Sequence, residues 1–261
     1  MTDHQHPPPR CAMNVLPRLA LSFLVLIFSS TVYSQALDLD TVLEQIISAY
    51  GGEENLHKLD SQIQEWAVVA LMGNRHGSDV RTIRIPDQLK VELTYPGKTE
   101  TRIVNGEASH VIYGRAPAKI AVQPQRDAMR LQLMRLYSPL VLRNRRDSLT
   151  LAAEGESCAL SLVENGVRVD YLINTNNWHI ERVVGTLAIN GSEMQFLTEY
   201  SDFTFRDGVL VHERENKFAA GVNTAIVRLI RITLDAELKD TDFLPNGDVL
   251  TQPIQDKHDI I

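Results

Sequence analysis

The chain has 261 residues, 44% of them hydrophobic and 23% charged, with a formal net charge of -7 at pH 7. That acidic balance argues against nucleic acid as a partner. Its two cysteines, in no CxxC or Cys/His spacing, rule out a disulfide framework and supply no zinc motif.

The first apolar run, LALSFLVLIFSSTV from Leu19 to Val32, holds 14 residues and no charge, behind Arg18. It falls short of the ~20 residues that span a bilayer. A basic flank, a short apolar stretch and small residues at Ser34 and Ala36 instead read as a secretory signal peptide over 1–34. Cleavage is expected near Ser34, with Ala36 as the alternative, and residues 1–12 read as an extension upstream of a second candidate start at Met13. Cys11 precedes the apolar run, so it is not a lipid-bearing cysteine, and the exported chain keeps Cys158 alone. Residues 35–261 number 227, enough for a single core.

The mature chain opens on a helix over DTVLEQIISAY, with Val42, Leu43, Ile46, Ile47 and Tyr50 at helical spacing and Asp40 or Thr41 as its cap. Gly51 and Gly52 follow it. Phosphate-binding glycines come after a strand and before a helix, so that free N–H groups face the anion. These come after a helix, and the chain has no GxGxxG or GKS/GKT pattern, so Gly51 is a helix terminator.

After a short helical turn at EENLHKL the pattern changes to period two. QEWAVVALMG, SDVRTIRI, QLKVELTYP, KTETRIVNG and ASHVIYG are candidate strands, separated by turn signals at Gly73-Asn74, Pro86-Asp87, Pro96-Gly97 and Asn105-Gly106. QRDAMRLQLMRLYSPLVLRNRR then interrupts them as a helix capped at Asp127. Met129, Leu133, Leu136, Tyr137 and Leu140 form its stripe, and Ser138-Pro139 breaks it. Strands resume through LTLAAEG, CALSLVENGVRVDYLIN, WHIERVVG, TLAINGSEMQFLTEYSDFTFRDGVLVHERENKF and AIVRLIRITLDAEL. The whole reads as a mainly antiparallel α+β domain over 35–245, closed by an acidic tail over 246–261.

No constellation announces catalysis. His212-Glu213-Arg214-Glu215-Asn216 starts like HExxH but lacks the second histidine and lies on a strand, so it reads as a surface strand. There is no GxSxG, and His57, His76, His110, His179, His212 and His258 show no ligand spacing. Asn190-Gly191-Ser192 matches a glycosylation sequon but reads first as a hairpin turn. No metal and no cofactor is expected. Between residues 126 and 146 stand six arginines (Arg126, Arg130, Arg135, Arg143, Arg145 and Arg146) against one acid, Asp127. They are candidates for contact with an anionic envelope membrane or an acidic protein partner, or else solvated charges on a packed helix.

Taken together, the opening helix, the insertion around MRLYSPL, the segment EYSDFTFRDGVLVHERENKF and the strand ending LDAELKDTDFLP resemble the bacterial lipoprotein-sorting carriers of the LolA/LolB type. That resemblance implies an open curved half-barrel with helices over its concave face. It also implies a monomeric periplasmic carrier, not an enzyme, that shields an acyl lipid, a lipoprotein or another apolar ligand. Matching elements would put Trp66, Val68, Leu89, Val91, Leu93, Ile230 and Ile232 in the cavity, with Met129, Leu133, Leu136 and Leu140 on the lid. A non-catalytic structural or sensory module with a groove filled by side chains, and a hydrolase with a site outside known motifs, are the alternatives.

Overall fold

The computed structural model describes residues 37–245; the signal-peptide segment 1–34 and the tail 246–261 lie outside the described residues. Helix α1 (Leu39–Ala49) is capped by Asp38, whose carboxylate accepts from the Thr41 amide at 2.9 Å. The cap therefore lies before Asp40, which falls in the first turn and suits the positive end of the helix dipole. Val42, Leu43, Ile46 and Ile47 are buried, as their spacing requires. Gly51 ends the helix with φ 110° and donates to Ser48 O, and Gly52, φ 82°, donates to Ile47 O. A four-residue helix, α2 (Glu53–Leu56), follows.

Six strands come next: β1 (Ser61–Ala70), β2 (Arg75–Arg84), β3 (Gln88–Tyr95), β4 (Lys98–Asn105), β5 (Ala108–Tyr113) and the short β6 (Lys119–Ile120). Helices α3 (Gln125–Met134) and α4 (Pro139–Asn144) interrupt them. Seven more strands complete the sheet: β7 (Leu149–Glu154), β8 (Ser157–Glu164), β9 (Val167–Asn174), β10 (His179–Ile189), β11 (Ser192–Arg206), β12 (Val209–Ala219) and β13 (Val222–Leu234). All thirteen form one antiparallel sheet in the order β6-β5-β4-β3-β2-β1-β13-β12-β11-β10-β9-β8-β7. It is open, with β6 and β7 at its two edges, and the first and last strands pair at its middle.

Turn chemistry sets most of the hairpins. Asn165-Gly166 and Asn190-Gly191 both carry positive φ, 52° and 79°, and 51° and 78°, the backbone of a two-residue hairpin turn. Asn105-Gly106 departs from expectation by one residue. Asn105 still pairs with Ala108, so the turn is Gly106-Glu107.

The helices between β6 and β7 join opposite edges of the sheet, so the chain must cross its concave side. There α3 packs on β4 and β5 of one wing and on β9 and β10 of the other. It is held on more than one stripe, with Met129, Leu131, Leu133 and Met134 all buried. Leu131 rests on Gly185 of β10, where an added Cβ would come within 2.1 Å of its Cδ1. Asp127 is not the cap of α3, which begins at Gln125, but Ser138 caps α4 by accepting from the Val141 amide, with Pro139 in the first turn.

Gly51 also touches the β11–β12 turn: a Cβ there would lie 2.0 Å from Gly208 O, whereas one at Gly52 would meet nothing within 4 Å. Gly51→Ala should therefore lose about 2 kcal/mol or more in urea unfolding and Gly52→Ala about 1 kcal/mol, since both force alanine to positive φ but only the first clashes with backbone. Equal losses would show that the close approach is not a constraint.

Candidate functional site

Curvature brings distant strands together on the concave face. In a flat sheet β2 and β12, separated by β1 and β13, would stand about 14 Å apart. Here Arg81 of β2 reaches Glu215 of β12 with two bonds, 2.7 Å and 2.9 Å, and Asp79 with two more, 2.9 Å and 3.0 Å. All three residues are at most 3% exposed. Lys217 approaches Glu215 at 3.1 Å, and His212 approaches the same carboxylate at 3.2 Å. The Arg81 guanidinium lies 4.7 Å over the Trp66 ring, and His212 stacks on that ring on one side and on Tyr200, 4.1 Å away, on another. Trp66 Nε1 donates to Gln64, and Gln64 donates in turn to Gln62, so the polar groups of β1 are satisfied in sequence.

Burial alone would raise the Glu215 carboxyl, but the charges of Arg81 and Lys217 hold it well below the usual carboxylate range. Burial likewise pushes against the charge on Arg81, and Asp79 and Glu215 override it. Glu215 is thus a locked counter-ion. The His212–Asn216 segment is a strand, as expected, but not a surface one: His212 lines a cavity and Glu215 is buried. Asp202, with φ 56°, lies within β11 opposite this stretch.

A cavity of about 80 Å³ lies between this face and the elbow joining α3 to α4. Leu136, Tyr137, Ser138 and Pro139 come from the elbow, and Trp66, Leu210, Val211 and Ile232 from the sheet. Three polar contacts fasten the elbow: the Tyr171 hydroxyl donates to Met134 O at 2.7 Å, the Tyr200 hydroxyl to Arg135 O at 3.3 Å, and Arg135 to Phe196 O at 2.8 Å. Tyr200 satisfies a carbonyl that the end of α3 leaves free, and Tyr171 joins the Tyr137 amide on Met134 O.

Of the apolar positions singled out from the sequence, Trp66, Leu136 and Ile232 line this cavity. Leu89, Val91, Met129 and Leu133 belong to the main core, Leu140 to a smaller cluster with Ile47 and Leu56, and Val68 and Leu93 to a cluster around Trp66. Ile230 is 68% exposed. A bulge shifts the β1–β13 register at Glu65/Trp66, so Arg231 and Leu229 take adjacent partners and Ile230 turns outward between them. The sequence pattern missed Gln62, Gln64, Tyr171, Tyr200 and His212, all in the lining. Gln64 already opens the predicted strand two residues before Trp66, and a start at Ser61 adds Gln62 to the same face.

The arginines are engaged within the chain. Arg143 pairs with Glu44 and Glu53, Arg146 with Asp40, and Arg145 with Glu164 while stacking over Tyr137. Arg130 pairs with Glu107 and Arg126 with its neighbour Asp127, and Arg135 turns inward to Phe196 O.

Removing one partner of a buried ion pair strands the other, so Glu215→Ala should lose about 3–5 kcal/mol at pH 7. With its folded pKa depressed, Glu215 gives its full stabilisation above the unfolded value, ~4.3, and loses it as the pH falls through the lower folded value. In urea titrations between about pH 5 and pH 3, Glu215→Gln should flatten the acid limb of the stability profile. An unchanged limb would mean that Glu215 is not ionised in the fold.

No protein-family model matches the sequence, and no curated protein matches it. Among solved structures the chain is similar to a LolA superfamily protein from Nitrosomonas europaea, at 13% identity and a TM-score of 0.52, over 80% of this chain and 98% of that one. It is also similar to a protein described as an outer membrane lipoprotein-sorting protein domain, from Vibrio parahaemolyticus (8% identity, TM-score 0.47, 77% of this chain and 94% of that one). A DUF1329 family protein from Desulfovibrio piger gives 10% identity and a TM-score of 0.47, over 78% of this chain and 96% of that one. At such identities likeness speaks of fold alone, and the described residues have the LolA-like fold, an open antiparallel half-barrel with helices across its concave face.

Proposed function

We propose that the protein is an exported, periplasmic, non-catalytic carrier that shields an acyl chain or another apolar ligand beneath its helical elbow. The observation that carries this reading is the cavity itself, roofed by Leu136, Tyr137 and Pro139 and floored by Trp66 and Ile232. Ligand sites in β-rich folds form in such mouths. Its volume of about 80 Å³ is below the roughly 300–1,000 Å³ of small-molecule pockets, so loading an acyl chain requires the elbow to move. The polar fastenings suit such movement, because water replaces a hydrogen bond at a net ~1 kcal/mol. Methionines at Met129 and Met134 can repack against a guest. The acyl chains would belong to a lipoprotein or to a free lipid.

The same small volume favours a second reading, a structural or sensory module whose groove is filled by its own side chains. Native mass spectrometry of the protein purified without detergent, with solvent extraction, separates the two. The carrier should show a bound acyl species that is lost in Leu136→Asp. A clean ligand-free mass, with no uptake of a fluorescent fatty acid, would leave the filled groove as the answer.

Fastening by the two tyrosines gives a kinetic check. Tyr171→Phe and Tyr200→Phe should each lower stability by about 1–2 kcal/mol. In stopped-flow measurements they should also speed probe uptake several-fold. Unchanged uptake would mean that loading does not pass through the elbow.

A further inference from the structure

A second cavity, of about 210 Å³, adjoins the first and shares Arg135, Leu136 and Tyr200 with it. Its character is different. Arg81, Arg102, Arg135 and Lys217 line it against a single carboxylate, Glu215. Two of these cations are satisfied by Glu215 itself, and Arg81 also by Asp79, while Arg102 pairs with Glu100 at 2.7 Å. Among the described residues no carboxylate pairs with Arg135. Its side chain gives one bond, to Phe196 O, while its Nε–H is shut off from solvent with no acceptor. Thr198, 2% exposed and in the same wall, has a hydroxyl oxygen with no partner. Buried polar groups in native proteins are almost always satisfied, and a buried cation is costly unless paired.

We infer that this second cavity is an anion subsite, in which Arg135 and Thr198 receive the carboxylate or phosphate head of an amphiphile whose apolar part occupies the cavity under the elbow. The inference rests on the carrier reading for the apolar part. An anion there takes a charge-assisted bond from the Arg135 guanidinium and a second bond from the Thr198 hydroxyl, each reached by a small turn of the side chain, and it balances the one cation the wall leaves unpaired. Glu215 does not repel it from Arg135 with a free charge, because Arg81 and Lys217 already hold that carboxylate. Arg135 sits at the junction of both cavities, on the elbow that roofs the first. Head recognition and tail shielding thus meet at one residue.

Displacement of a fluorescent apolar probe by hexadecanoate, hexadecyl phosphate and methyl hexadecanoate tests this in the unmodified protein, Arg135→Met, Arg135→Lys and Thr198→Val. At least one acid should bind about tenfold or more tightly than the neutral ester. Which acid it is assigns carboxylate or phosphate. That ratio should fall to near one in Arg135→Met, recover in part in Arg135→Lys and drop several-fold in Thr198→Val. Equal affinities for acids and ester in the unmodified protein, or a ratio unmoved in Arg135→Met and Thr198→Val, would overturn the subsite and leave the carrier standing. If no amphiphile binds but inorganic phosphate does so in calorimetry, dependent on Arg135, the anion site stands and the carrier reading falls. Binding of neither overturns both.

Discussion

The bridge from Arg81 to Glu215 is the constraint on which the rest of the concave face depends. A guanidinium and a carboxylate placed three strands apart can meet only if the sheet curls between them, and removal from water obliges both to stay paired. Such a pair adds little net stability compared with a well-packed apolar pair, but it tolerates few geometries. Its bidentate bonds fix the distance between β2 and β12, and with it the curvature of the central strands. Trp66 then lies under Arg81 and His212 against Trp66, so the floor of the cavity inherits its position from the ion pair.

Much of this architecture is legible in the sequence because it is local. Asn-Gly pairs mark hairpins, alternation puts Trp66, Val68, Leu89, Val91 and Leu93 on one face, and Ser138-Pro139 marks the elbow. What is lost depends on distant partners. Arg81 and Glu215 sit at inward positions, but a period-two reading assigns charges outward, and only the pairing of the first strand with the last brings their two strands near one another. Ile230 fails for a related reason, since one extra residue at a bulge inverts the face beyond it. The partners of the arginine cluster are hidden in the same way, because Asp40, Glu53 and Glu164, which neutralise much of it, come from other parts of the chain.

The two kinds of contact at the elbow have different consequences for motion. Apolar packing of Met129, Leu131 and Leu133 secures α3 along its length, with Gly185 providing the recess for Leu131. At the end of α3 Met134 and Tyr137 stay in the main core, and hydroxyls on carbonyls add bonds that are directional and individually weak. Local opening draws on regions of low stability, and such bonds lie beside residues 135–138. Their side chains are also those that roof the cavity.

Because α3 and α4 run from one edge strand to the other, they form a strap sewn to both rims of the sheet, and not a flap hinged at one. The links to β6 and β7 are only a few residues long, so neither end can swing far from its rim. A long guest lodged beneath such a strap is encircled by covalent chain on one side and by the sheet on the other. Lifting it straight out would require a rim to tear free, so the geometry favours entry and exit endwise, as a thread passes through the eye of a needle.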